Sequence, residues 1–126
     1  MKQTENLYKR ARKHNWDDGY TKLYKILENK NCDKGIALMM YWFSSPKYFT
    51  KFENEEECPS YNRDNYKFVK HVEKIYPTIE KEIIKYDPAD DGMLGRDSEI
   101  IKSPIPEIMF VPTNGIIDYK DINPYS

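Results

Sequence analysis

Side chains able to do chemistry are few in this sequence, and their spacing is loose. His14, Asp17, Asp18, Cys32 and Asp33 make the densest group along the chain. A zinc site takes about four Cys, His or carboxylate ligands, as closely spaced pairs such as Cys-x-x-Cys or His-x-x-x-His. Neither pair is present, and enough residues for a whole helix separate His14 from Cys32. Cys32 at the start of a helix could be a nucleophile, because a helix N-terminus favours a thiolate. It would need a base, and His14 and His71 are the only histidines. Asp33 beside it opposes the thiolate. Asp87 with Asp90-Asp91 lacks the alternating acids, central Gly and final Glu of an EF-hand. Gly92-Met93-Leu94-Gly95 lacks the Gly-Lys-Ser/Thr ending of a phosphate loop. The expectation is no metal, no cofactor and no catalytic residue. Asp17 and Asp33 read instead as N-caps of successive helices, and Cys32 as a small packed hydrophobe.

The elements that would hold these residues follow from periodicity. Thr4 is placed to cap a first helix whose stripe is Leu7, Ala11 and His14, with Tyr8 beside it. After the break at Asn15-Trp16, Asp17 would cap a second helix, with Tyr20, Leu23, Tyr24 and Leu27 at i, i+3, i+4, i+7. Asp33 would cap a third, in which Ile36 to Phe43 is apolar on every face and so must be buried. Ser44-Ser45-Pro46 stops it. Tyr48 to Phe52 is a short aromatic segment, and Glu53 to Glu57 an acidic run typical of a solvated loop. Asn62 or Asp64 would cap a fourth helix carrying Phe68, Val69, Val72, Ile75 and Tyr76, ended by Pro77. Residues 78 to 86 are ambiguous between helix and strand. From 87 to 103 a loop is expected, then an apolar segment, Ile105 to Val111, laid on the core, and a turn at Thr113-Asn114-Gly115. No internal repeat appears.

The totals agree with one domain. A chain of 126 residues can bury enough surface to fold without a staple. Its net charge of −1 gives no general attraction to nucleic acid or to an anionic membrane. Two cysteines, no apolar leader in the first six residues and no long apolar run lead to the expectation of a cytoplasmic protein with free thiols. Eleven tyrosines supply rings suited to half-exposed positions and interfaces.

The string Asn15-Trp16-Asp17-Asp18-Gly19, followed by Cys32-Asp33, Gly35 and Ala37-Leu38, resembles a bacterial domain-of-unknown-function family. That family is marked by Asn-Trp-Asp-Asp-Gly and then Cys-Asp-x-Gly-Thr-Ala-Leu, and Ile36 stands where its Thr is usual. The likeness is close over the first half and loose through Tyr86-Asp87-Pro88 and the late prolines. It implies no activity. Some members resemble immunity proteins encoded beside bacterial toxins, a resemblance that implies a protein partner such as a toxin domain.

The resulting expectation is an all-α single small domain, 1–126, of four to five helices. Residues 1–86 form the helical core, and 87–126 an irregular Pro-rich segment packed on it. The leading function is protein binding, most concretely immunity to a cognate toxin. Its surface would be acidic and tyrosine-bearing: Glu53, Glu55, Glu56, Glu57, Tyr61, Asp64 and Tyr66. Asn15, Trp16, Asp17, Asp18, Gly19, Cys32, Asp33 and Gly35 are expected to be structural. The alternatives are a cysteine-dependent enzyme using Cys32 and a structural or adaptor module without catalysis. The oligomeric state stays open.

Overall fold

A computed structural model describes residues 1–126. The buried residues of α1 (Lys2–Arg12) are Thr4, Leu7, Tyr8 and Ala11, the i, i+3, i+4, i+7 stripe of a one-sided helix. Thr4 is not its cap. It lies inside the helix, and its hydroxyl donates to the Asn31 carbonyl at 2.9 Å, tying α1 to the link before the third helix. His14 falls beyond the helix end.

Asp17 does not cap the second helix either. Asn15 accepts a hydrogen bond from the Asp17 N–H at 3.1 Å and opens a separate 3-10 turn, Trp16–Asp18. Gly19 leaves that turn at φ 82° and ψ −159°, a conformation open only to glycine. Helix α2 (Thr21–Glu28) then starts without a side-chain cap and buries Leu23, Ile26 and Leu27.

Asp33 does cap α3 (Lys34–Phe43), accepting from the Ile36 N–H at 2.9 Å. Every residue from Gly35 to Trp42 is buried, as an all-round apolar helix requires. Helices α1 and α5 (Arg63–Ile75), the short α4 (Pro46–Phe49) and strand β1 (Ile84–Lys85) all pack on it. Neither Asn62 nor Asp64 caps α5 through its side chain; Asp64 lies in the first turn, and the Asn62 amide donates to the Tyr48 hydroxyl.

The ambiguous stretch resolves into a 3-10 turn, Tyr76–Thr78, and then β1. β1 pairs in parallel with β2 (Ile117–Asp118), in the register Ile84 with Ile117 and Lys85 with Asp118. The fold is therefore all-α in its body, with one minimal two-stranded sheet at its side. The apolar segment after Pro104 is mostly exposed; within its 3-10 turn, Glu107–Phe110, only Met109 is buried. No helix is long and apolar enough to cross a membrane.

Candidate functional site

The acidic run forms a second 3-10 turn, Glu55–Glu57, capped by Asn54, whose side chain accepts from the Glu57 N–H at 3.1 Å. A third turn, Ser60–Asn62, follows and raises Tyr61 into solvent, 82% exposed. Arg63 holds the two turns together by donating to the Cys58 carbonyl at 3.2 Å and the Glu56 carbonyl at 3.3 Å.

The acids of this surface differ in what they face. Glu57 accepts from the Glu53 N–H at 2.7 Å and pairs with Lys102 at 3.1 Å. Those two contacts, the backbone one first, hold its carboxyl below the usual range. Glu55 pairs loosely with Lys67 at 3.9 Å. The carboxylates of Glu53, Glu56 and Asp64 make no ion pair. Tyr66 leaves the predicted surface altogether. It is buried, its ring 6.1 Å edge-on from Phe49. The signal was present: Tyr66 stands three residues before Val69, on the buried stripe of α5.

A part of this surface comes from residues that the sequence reading assigned to the core. Tyr20 and Tyr24, one turn apart on the α2 side, are half-buried with their rings 5.5 and 5.4 Å from Phe68. With Thr21, Asp64 and Lys67 they line a cleft of about 280 Å³. Burial raises both phenols, and the Asp64 carboxylate raises them further. Neither phenol makes a hydrogen bond within the protein, so the cleft offers two aromatic rings, two hydroxyls and an unpaired carboxylate. Lys67 connects it to Glu55.

Of the motif residues, Asn15, Trp16, Asp33 and Gly35 make contacts that hold the fold, and Asp17 and Asp18 do not. Trp16 packs edge-on against His14, Tyr20 and Phe68 at 5.5, 5.8 and 6.2 Å. Asp17 and Asp18 are exposed and make no side-chain bond. Asp33 is fully buried and joins α3 to β1. Besides capping α3, its second oxygen accepts from the N–H groups of Ile83 at 2.8 Å and Ile84 at 2.6 Å. Burial raises its carboxyl, and the backbone N–H groups of Ile84, Ile36, Ile83 and Gly35 oppose that shift. Gly35 is needed where α3 meets β1, since a Cβ there would collide with the Ile84 carbonyl oxygen.

Cys32 is equally enclosed. Burial, and then the charge of Asp33, push its thiol up to about 12. His14 instead bonds the Gly19 carbonyl at 2.8 Å, and His71 meets the Tyr24 ring edge-on at 5.2 Å. Burial and the Asp33 charge disfavour the thiolate, and neither histidine hydrogen-bonds the thiol, whose Sγ lies 3.7 Å from the Asp33 carbonyl. Cys58 is buried as well, and both thiols are free. No group of three or more His, Cys, Asp or Glu side chains is arranged to hold a metal ion. Asp91, in the loop considered for calcium, is a bidentate acceptor for Arg12, with both N–O distances 2.9 Å.

No curated protein and no solved structure matches the chain. A family model described as a domain of unknown function (DUF4274) matches residues 2–77, from the start of α1 through the end of α5 and the proline after it, and the chain therefore belongs to that family.

Proposed function

We propose that this protein is a non-catalytic binding domain whose partner is a protein with exposed basic side chains. The observation that carries the reading is the unpaired carboxylate of Asp64 in the cleft between Tyr20 and Tyr24. Tyrosine rings attract a cation through their electron-rich faces, and a carboxylate bonds it directly; together they suit a lysine or arginine. Glu53, Glu56 and Tyr61 extend the surface along the two 3-10 turns. Acids around an aromatic anchor give the charge complementarity that speeds association and selects a partner. More specifically, the partner is a toxin and the chain its immunity protein, acting in a bacterial cytoplasm. That step rests on the likeness of the Asn15–Gly19 and Cys32–Leu38 motif to families containing such proteins.

Hydrogen exchange on the chain with and without the toxin encoded beside its gene tests this reading. Slower exchange is expected at residues 20–24 and 48–66. In a proven complex, unchanged exchange there with protection elsewhere removes the surface. The variant Asp64→Lys/Glu56→Lys should weaken binding at least about tenfold by turning attraction into repulsion. Its folding stability should stay within about 0.5 kcal/mol, because both side chains are exposed and unpaired.

A further inference from the structure

A second cleft lies on the opposite edge of α2. Leu7, Arg10 and His14 follow one another at i, i+3, i+7 along and just past α1, and Lys22, Lys25, Ile26 and Asn29 at i, i+3, i+4, i+7 along α2. Such spacings stack side chains on one helical face. The two stripes meet around a cleft of about 200 Å³. Its floor is apolar, from Leu7 and Ile26, and its rim is Arg10, His14, Lys22, Lys25 and Asn29, with no acid among them.

The rim gathers three strong bases around one cleft. Arg12, Lys47, Lys67, Lys70, Lys102 and Lys120 each reach a carboxylate. Arg10, Lys22 and Lys25 are among the 14 strong bases that reach none, and they donate no hydrogen bond. His14 donates from Nε2 to the Gly19 carbonyl at 2.8 Å, so its ring is held in place with Nδ1 left over. The side-chain oxygen of Asn29 accepts from the Asn31 N–H at 2.9 Å, which leaves the Asn29 amide N–H groups without a partner.

We propose that this cleft binds a phosphate group, carried by a small phosphate monoester. Three cations and the amide of Asn29 match the near-double negative charge and three acceptor oxygens of a monoester better than a lone carboxylate. The cleft is smaller than the roughly 300–1,000 Å³ of pockets that take drug-sized ligands. It has room for the phosphate and a few carbon atoms, which would lie on Leu7 and Ile26. One isolated pocket on a chain of net charge −1 is not the extended basic track that a nucleic-acid backbone follows.

The test is an amide NMR titration of the full chain at pH 7.5 and constant ionic strength, with inorganic phosphate and then glycerol 3-phosphate. Saturable shifts confined to residues 7–14 and 22–29 are expected, with the ester binding more tightly. Arg10→Ala/Lys25→Ala should weaken binding at least about tenfold while shifts elsewhere stay in place, since both residues are exposed. Shifts that never saturate, that chloride reproduces, or that survive in the double variant overturn the site. Equal affinity for the bare ion and the ester overturns the role of the apolar floor. Tighter binding of a short single-stranded RNA through the same residues overturns the assignment to a small molecule.

Discussion

In residues 2–77, main-chain polar groups bond mostly within helices and side chains meet through helical stripes, whereas residues 78–126 contain one two-residue strand pair and short turns. Yet the second region is not a loose tail. Ile84, Tyr86, Met109, Tyr119 and Ile122 belong to the hydrophobic core. The Met109 carbonyl accepts from Trp42 Nε1 at 2.8 Å, deep in that core. Asp33 holds the main chain at 83 and 84, and Thr113 bonds the main chain at Ile84 and Tyr86. Arg12 clamps Asp91, which also accepts from Tyr86. The helical body is thus specified by local periodicity and the strap by distant side-chain bonds to main chain. The family model covers the body alone, but in this chain the body's core is closed by the strap.

The severest way to break this comparison is to remove one side of it. A chain ending at residue 77 loses five core residues, each worth about 1.5–3 kcal/mol on burial. That sum rivals the whole stability of a typical domain, about 5–15 kcal/mol. It also strips the second oxygen of Asp33 and the Trp42 N–H of their partners. Near-ultraviolet circular dichroism and amide dispersion should show loss of fixed packing. A well-dispersed spectrum from residues 1–77 would mean that the strap is dispensable.

Asp33→Asn probes the same dependence with one atom. The new amide group can keep one acceptor, but then turns its own N–H toward the donors of Ile83 and Ile84 or of Ile36. A buried donor left facing donors costs about 2–4 kcal/mol, given the charge-assisted bonds also lost. Urea denaturation should show that loss, and hydrogen exchange should rise first at residues 83–86 and 117–118. Acceleration confined to α3, with 83–86 and 117–118 unchanged, would show that Asp33 serves the helix alone.

What the residues made legible follows the same division. The stripes of α1, α2 and α5 and the all-round apolar α3 were readable because helical neighbours are close in sequence. The Asp33 cap was readable for the same reason, but its grip on Ile83 and Ile84 spans 50 residues and leaves no local trace. Asn15 and Asp17 are both good caps two positions apart; Asn15 prevails where Gly19, in its glycine-only conformation, and Trp16, wedged on Phe68, set the path of the chain. A two-residue parallel strand shows no alternation to detect. Of the predicted surface, Glu53, Glu56, Tyr61 and Asp64 stand free, because acids in short turns are seldom buried. The cleft beside it was illegible: Tyr20 and Tyr24 share the helical face of Leu23, and only the placement of α5 brings Asp64 beside them.

Arg12→Lys is a gentler strain on the joint between body and strap. The guanidinium makes two parallel bonds to Asp91, whose side chain is only 9% exposed, and its carbon lies 5.0 Å from the Phe43 ring centre. Lysine keeps the charge but not the fork. A loss of about 1–2 kcal/mol is expected in urea, with exchange rising in residues 86–93 rather than in α1. A loss spread evenly over both regions would mean that they unfold as one unit.

The smallest effect concerns the thiol beside the joint. Cys32 is pushed from about 9 to about 12 by burial and by Asp33, so the unfolded chain gives up this proton first as pH rises. The folded state holds the extra proton, and its stability must fall with pH across that window. The contribution is fully present below pH 9, and between pH 9 and 10 about 1 kcal/mol of it should go. Buried tyrosines such as Tyr8, also raised by burial to about 12, act in the same direction and at similar pH. Cys32→Ala separates the thiol from the phenols: its urea midpoint should decline less steeply over pH 9–10 than that of the unaltered chain. In the folded protein, a maleimide should leave Cys32 unmodified at pH 8, and modification there at the rate of an unfolded control would show that the thiol opens to solvent independently of the strap. Parallel declines in the two proteins would place the alkaline sensitivity in the other groups that burial raises, Cys58 and the tyrosines, chiefly Tyr8, Tyr41 and Tyr76 of the body and Tyr86 and Tyr119 of the strap.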